Sequence, residues 1–199
     1  MPPIELSTET DKPHEEHLAT RRAYDGHILH VRVDDVRLPS GRETVREIIE
    51  HPGSVIVLPV TTDGEVLLIR QYRYVTGEVL FELPAGLIDE GEAPEDAVGR
   101  ELREETGYEV GTLTFLGTAW VSPGYTQEKS HFYVATECVP VDHEPDEDEP
   151  IDIIHVPLAD LPGLLQPGRS PIRNAQTLLV LNWFLRVQDE LLGRGEKQG

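Results

Sequence analysis

The sequence predicts an α/β-class protein of the α+β kind: a mixed β-sheet sandwiched between helices, with a small N-terminal antiparallel β sub-structure. Three observations predict it. Short segments of apolar and polar alternation follow one another through the first half, as half-buried strands require. Residues 94–106 have helical texture between a proline and a glycine suited to the two ends of a helix. After further strand-like runs, a long apolar segment near the C-terminus reads as a second helix, giving the order strands, helix, strands, helix.

Taken in order, residues 1–17 are polar, charged and without period, and read as a flexible acidic arm. From Gly26, GHILHVRVDDVRL alternates, Pro39-Ser40-Gly41 turns the chain, and ETVREIIE alternates again until His51-Pro52-Gly53 breaks it. Residues 18–53 are therefore expected to form the β sub-structure and residues 54–195 the main domain. VIVLPV at 55–60 is a buried-strand candidate, and Thr62-Asp63-Gly64 makes a hairpin turn into the strand EVLLIRQYRY. A short strand at 81–83 ends at Pro84, and Pro94 and Gly107 bracket the first helix. Strands follow at 113–121, 130–136 and 151–156, the last two separated by the acidic loop DHEPDEDEP. PLADLPGLL reads as a short helix and NAQTLLVLNWFLRVQDELL as a long one buried over most of its circumference.

Composition sets bounds on function. An apolar fraction of 38% supports a core despite a net charge of −20. With 17 Lys and Arg against 37 Asp and Glu, no basic face is available for a nucleic-acid partner. No apolar run approaches the roughly 20 residues that span a bilayer, so no membrane partner is expected. The first residues lack the apolar stretch of a signal peptide. Cys138 is the only cysteine, which rules out an intrachain disulfide and a cysteine zinc cluster. A cytoplasmic location follows by default.

The chemistry concentrates in GLIDEGEAPEDAVGRELREETGY, residues 86–108. On a helix, Glu101, Glu104 and Glu105 stand at i, i+3 and i+4, where like charges repel unless something neutralises them. Oxygen-only ligands favour Mg²⁺ or Mn²⁺. Val98 and Leu102 occupy the neighbouring stripe and anchor the helix. Arg100 can pair with Glu104 one turn on. Gly86 leaves room for close approach to a metal or phosphate, Asp89-Glu90-Gly91 turns the chain, and Glu92 sits near the helix start, where acids are favoured. Solvated acid clusters of this kind are common on exposed helices, so the cluster alone does not define a site.

The stretch as a whole resembles the Nudix box, Gly-x5-Glu-x7-Arg-Glu-U-x-Glu-Glu-x-Gly-U with U a bulky apolar residue. Gly86, Glu92, Arg100, Glu101, Leu102, Glu104, Glu105 and Gly107 all fall in register, and Tyr108 replaces the usual aliphatic residue at the end. Outside it, REIIEHPGSV, RQYRY, FELPAGLID and SPGYTQEK resemble the ADP-ribose pyrophosphatase branch of that family. The resemblance implies Mg²⁺-dependent hydrolysis of ADP-ribose to AMP and ribose 5-phosphate, or of a close nucleoside diphosphate sugar. Another nucleoside diphosphate compound, such as GDP-mannose or a dinucleotide, and a non-catalytic ADP-ribose-binding module are the alternatives. It implies metal ligands at the Ala85 carbonyl, Glu101, Glu104 and Glu105, with Glu101 and Glu105 the stronger and Glu104 tied to Arg100 while still touching a metal. Substrate contacts are implied at Arg73 on the diphosphate, at Arg70, Glu82, Gly86 and Leu87, and at Glu128. A homodimer with shared active sites is also implied, Arg46 and Glu47 of one subunit reaching substrate in the other. The general base is implied at Glu147, with Glu149 second, on the acidic loop.

Overall fold

The computed structural model describes residues 14–142 and 150–193. The chain divides into two compact units, one of residues 14–51 with 122–127 and the other of residues 52–121 with the described residues from 128 onward.

The first unit is a three-stranded antiparallel sheet in the order β1 (Glu16–Asp25), β2 (His30–Arg37), β3 (Glu43–Glu50). β1 begins inside the stretch expected to be an unstructured arm, so that boundary moves to residue 16. Alternation could not reveal β1, because nearly all of it is exposed and carries no apolar period. Arginine–carboxylate pairs hold the sheet instead, among them Arg32 with Glu50 at 3.1 Å and Arg37 with Glu16 at 2.8 Å. Residues 122–127 complete this unit. The Ile49 N–H donates to the Tyr125 carbonyl at 2.8 Å, and the Gln127 N–H donates to the Ile49 carbonyl at 3.0 Å.

The second unit is built on β4 (Ser54–Thr61), β5 (Glu65–Arg73), β6 (Glu78–Glu82), β7 (Ala85–Leu87), β8 (Tyr108–Glu109), β9 (Thr112–Trp120), β10 (Lys129–Pro140) and β11 (Ile151–Pro157). They form one mixed sheet with the path β11-β5-β4-β10-β8, to which β6, β7 and β9 add by pairing with β5, β4 and β10. Helices α1 (Pro94–Thr106), α2 (Leu161–Leu164) and α3 (Ala175–Leu191) complete it. β4 and β10 are parallel neighbours, and all eight residues of β4 are buried, as a strand covered on both faces must be. The period of two divides their side chains. Ile56, Leu58, Phe132 and Val134 pack with Val180, Leu181 and Phe184 of α3, while Val55, Val57 and Tyr133 pack with Ala97, Val98 and Leu102 of α1. This is the mixed sheet between helices that the sequence leads one to expect.

α1 has the bounds its sequence implies, with Pro94 in the first turn and Gly107 ending it in the left-handed conformation at φ 68°. α3 fully buries only the narrow face of Thr177, Val180, Leu181 and Phe184, rather than most of its circumference. Trp183 meets Phe132 edge-on, and Trp120, on the edge strand β9, is exposed, with Lys129 Nζ 5.9 Å from its ring centroid. Among the described residues no helix is long and apolar enough to cross a membrane.

β4 and β5 are joined by a hairpin but pair only at Val60 and Val66. Beyond that point they part: β7 takes the place beside the start of β4, and β6 the place beside the end of β5. The functional groups gather at these diverging ends.

Candidate active site

A cleft of about 410 Å³ lies in the second unit. Ser54 and Ile56 of β4, Arg73 of β5, Ala85, Gly86 and Leu87 of β7, and Arg100, Glu101 and Glu105 of α1 line it, with Asp89, Glu128 and Gln176. Residues from 54 to 176 thus meet in one hollow, and the reason is local in each case. Full burial of Val98 and Leu102 fixes the rotation of α1 against the sheet. Glu101 and Glu105, one turn apart, then point to the cleft. Glu104 lies about 100° around the helix from Glu105 and belongs to a neighbouring groove with Arg103 and Glu109. The three acids of the motif therefore divide into two and one.

Arg100 is the hub of the site. Its Nε and Nη2 donate to the two carboxylate oxygens of Glu92, each at 2.9 Å, a fork-to-fork pair. Nη1 donates to Glu101 Oε1 at 2.6 Å and to Glu104 Oε2 at 3.3 Å, and Nη2 also donates to the Leu87 carbonyl at 2.9 Å. One guanidinium thus ties the loop, β7 and α1 together. The expected partner, Glu104, makes the longest of these contacts. Glu92 makes the pair that dominates, and its position near a helix start gave no sign of that role. Hydrogen bonding to Arg100, helped by the Asp89 N–H, holds the Glu92 carboxyl down at about 2. The same bond to Glu92 raises Arg100 further above its already high value.

Gly86 leaves room for a close approach, but by a protein group. A Cβ there would stand 1.9 Å from Glu101 Oε1, so the carboxylate occupies the space a side chain would fill. Glu105 Oε2 accepts the Ala85 N–H at 2.9 Å, which sets that carboxylate against the β7 backbone. Two carboxylates and a strand backbone at the cleft wall form an all-oxygen donor set, which fits a hard divalent cation that keeps some waters and takes phosphate oxygens from its substrate. Among the described residues no three His, Cys, Asp or Glu side chains form a group that could hold a metal ion by themselves.

Arg73 reaches the cleft with its Nε donating to Glu82 Oε2 at 2.8 Å. Glu82 is 4% exposed, and its other oxygen accepts from Asn174 Nδ2 at 2.6 Å. It backs Arg73 rather than lining the cleft. Arg70 is not among the lining residues, and its guanidinium pairs with Asp152 on β11. Arg46 and Glu47 lie on β3 of the first unit, where Arg46 Nε donates to Glu15 at 3.0 Å. Glu147 and Glu149 lie outside the described residues. Cys138 is fully buried, and burial pushes its thiol up to about 11, which suits an inert group.

Sequence reasoning missed Ser54, Ser130 and Gln176, which join Glu128 in a hydrogen-bonded group at the cleft wall. They are far apart in the chain and match no local pattern, so only the pairing of β4 with β10 and the start of α3 reveals them.

Comparison with known proteins bears on the family. The NUDIX domain family matches residues 50–177, and the family described as nucleoside diphosphate sugar hydrolase N-terminal domain matches residues 15–49. The ADP-ribose pyrophosphatase of Bacillus subtilis (strain 168) is 37% identical over 89% of this chain and 95% of its own length. The methanol dehydrogenase activator of Bacillus methanolicus is 34% identical over the same shares. A solved structure titled as an ADP compounds hydrolase superposes with a TM-score of 0.79 at 28% identity, covering 94% of this chain and 99% of that one. Nudix hydrolases generally need a divalent metal, and the oxygen donors of the cleft accord with that. With its box in register on α1 and β7 and the family match spanning most of its length, the chain belongs to the Nudix hydrolase family.

Proposed function

We propose that this enzyme hydrolyses the diphosphate bond of ADP-ribose to AMP and ribose 5-phosphate, using Mg²⁺, with Mn²⁺ able to replace it. The observation that carries the reading is the placement of Arg73 in the same cleft as Glu101 and Glu105: a cationic grip for the diphosphate beside an acidic cation site. The name of the Bacillus subtilis relative, similar over nearly its whole length, supports ADP-ribose as the substrate.

The residues divide the work. Arg73, backed by Glu82, donates to diphosphate oxygens. Glu101, Glu105 and the Ala85 carbonyl would hold the cation, with Glu104 contributing, and Arg100 keeps Glu101 in place. Once bound there, the cation would supply charge neutralisation on the phosphates and a more acidic water. Gly86 and Leu87 shape the wall, Glu128 faces the sugar end, and Glu147, with Glu149 as its alternate, takes the proton from the attacking water. Arg70 stands at the margin of substrate contact.

Residues 16–53 serve as a dimerisation sub-structure and residues 54–195 as the catalytic domain. The match of an N-terminal domain family at 15–49 supports this division. So do Tyr24, Ile28, Leu29 and Val45, apolar side chains left exposed on the first unit. In the dimer, Arg46 and Glu47 reach the partner's substrate. The single, buried cysteine suits a reducing cytoplasm.

The test is to incubate purified protein with Mg²⁺ and ADP-ribose, ADP-glucose, GDP-mannose and FAD, and to identify products by chromatography. The reading requires AMP and ribose 5-phosphate, with ADP-ribose showing the highest kcat/KM and EDTA abolishing turnover. Tight ADP-ribose binding without cleavage would favour the binding-module alternative, and preference for GDP-mannose would move the substrate within the same chemistry.

A further inference from the structure

Four side chains at the cleft wall form a chain of hydrogen bonds with one direction. Gln176 Nε2, in the first turn of α3, is 2.7 Å from Ser130 Oγ and 3.4 Å from Glu128 Oε1. Ser130 Oγ is 2.8 Å from Ser54 Oγ, which is 3.4 Å from the same Glu128 oxygen. An amide nitrogen only donates, so Ser130 must accept from Gln176, and its single proton goes to Ser54. The proton of Ser54 is then left for Glu128. The reversed amide is disfavoured, because its oxygen would face the Glu128 carboxylate. Ser130 is fully buried and Ser54 nearly so, so neither hydroxyl can exchange these partners for water. Every proton in the chain is aimed towards Glu128, which lines the cleft together with Ser54 and Gln176.

We propose that Gln176, acting through Ser130 and Ser54, is a positioning residue that holds Glu128 as a hydroxyl acceptor and so selects a sugar diol as the group attached to the diphosphate. This rests on the reading given under Proposed function and deepens it. A fixed carboxylate in a cleft that also takes a diphosphate repels a further phosphate and accepts from neutral hydroxyls. Gln176 and Ser54, which donate to it, are both neutral.

The experiment compares ADP-ribose with the methyl ester of ADP, which keeps the diphosphate diester but has no sugar beyond it. Steady-state constants and melting temperatures are measured for the wild type, Gln176→Leu, Gln176→Glu and Ser130→Ala. The expected result for Gln176→Leu is a fall of about tenfold in the ratio of kcat/KM for ADP-ribose to that for the ester, carried mainly by KM. Gln176→Glu, closer in shape to glutamine, is expected to be worse than Gln176→Leu, because its carboxylate faces Glu128. A merely structural role would give the opposite order and would lower both substrates together with the melting temperature. Normal wild-type cleavage of ADP-ribose with an unchanged ratio in the variants overturns the role of Gln176 alone. A wild type that cleaves the other nucleotides but leaves ADP-ribose intact overturns the parent reading, and this one with it.

Discussion

Gly86 and Glu101 share a single volume: a Cβ on residue 86 would lie 1.9 Å from Oε1 of the glutamate. Gly86→Ala must therefore push the Glu101 carboxylate out of the place where Arg100 holds it. A displacement of about 1 Å in such a group costs on the order of 100-fold in rate. We expect kcat to fall by about that factor while the far-ultraviolet spectrum stays that of the wild type. Full activity in the Gly86→Ala variant would mean that the position of Glu101 is immaterial to turnover.

Glu82 contributes through Arg73. Its two oxygens are engaged by Arg73 and Asn174, and it is almost fully buried. Glu82→Gln keeps the shape but removes the charge that orients the guanidinium. A charge-assisted hydrogen bond contributes about 1.5–3 kcal/mol, which corresponds to roughly 10- to 100-fold in affinity. The expected result is a rise in KM within that range, measured by steady-state kinetics with ADP-ribose. A KM equal to that of the wild type would remove Arg73 from substrate binding.

Glu92 predicts an acid limb in stability. Its carboxyl titrates at about 2 in the folded chain against an ordinary 4.5, so the folded value is depressed. A depressed acid contributes stability that is fully present above the unfolded value and is lost as pH falls from there through the folded value. The wild type should accordingly melt above Glu92→Gln near neutral pH, and the gap should narrow as pH drops from about 5 towards about 2. Thermal melts at stepped pH check this, and a gap that is constant over that window would contradict the Arg100 pairing.

Glu147 is assigned to the base by resemblance. Glu147→Gln is expected to cut kcat by about two to four orders of magnitude, the usual contribution of general acid–base catalysis, while leaving ADP-ribose binding measurable by calorimetry. A near wild-type rate would transfer the role to Glu149 or to an acid of α1.

The main architecture and the acidic face of α1 at the candidate site could be read from the sequence because their causes are local. Pro94 and Gly107 mark the ends of α1, and the unbroken apolar run of β4 marks a strand buried on both faces. The glutamates of α1 are visible as a spacing, although which of them face the cleft depends on how Val98 and Leu102 seat the helix. β1 was hidden because exposed strands held by ion pairs carry no hydrophobic period. The Glu92–Arg100 pair was hidden because it closes across a turn and a helix start, where no fixed periodicity applies. Gln176, Ser130 and Ser54 were hidden because their meeting is set by sheet register and helix placement.

The parallel register of β4 on β10 has a consequence for how the molecule comes into being. Ser54 and Ser130 are joined across 76 positions of chain, with α1 in between. Local contacts can form α1 early, but the floor beneath it must await a distant strand, and such non-local pairings are slow to close. On the ribosome the acid-bearing helix emerges before the strand that completes its hollow. Competence to bind nucleotide should therefore be among the last properties gained during refolding, arriving with β10 rather than with helicity.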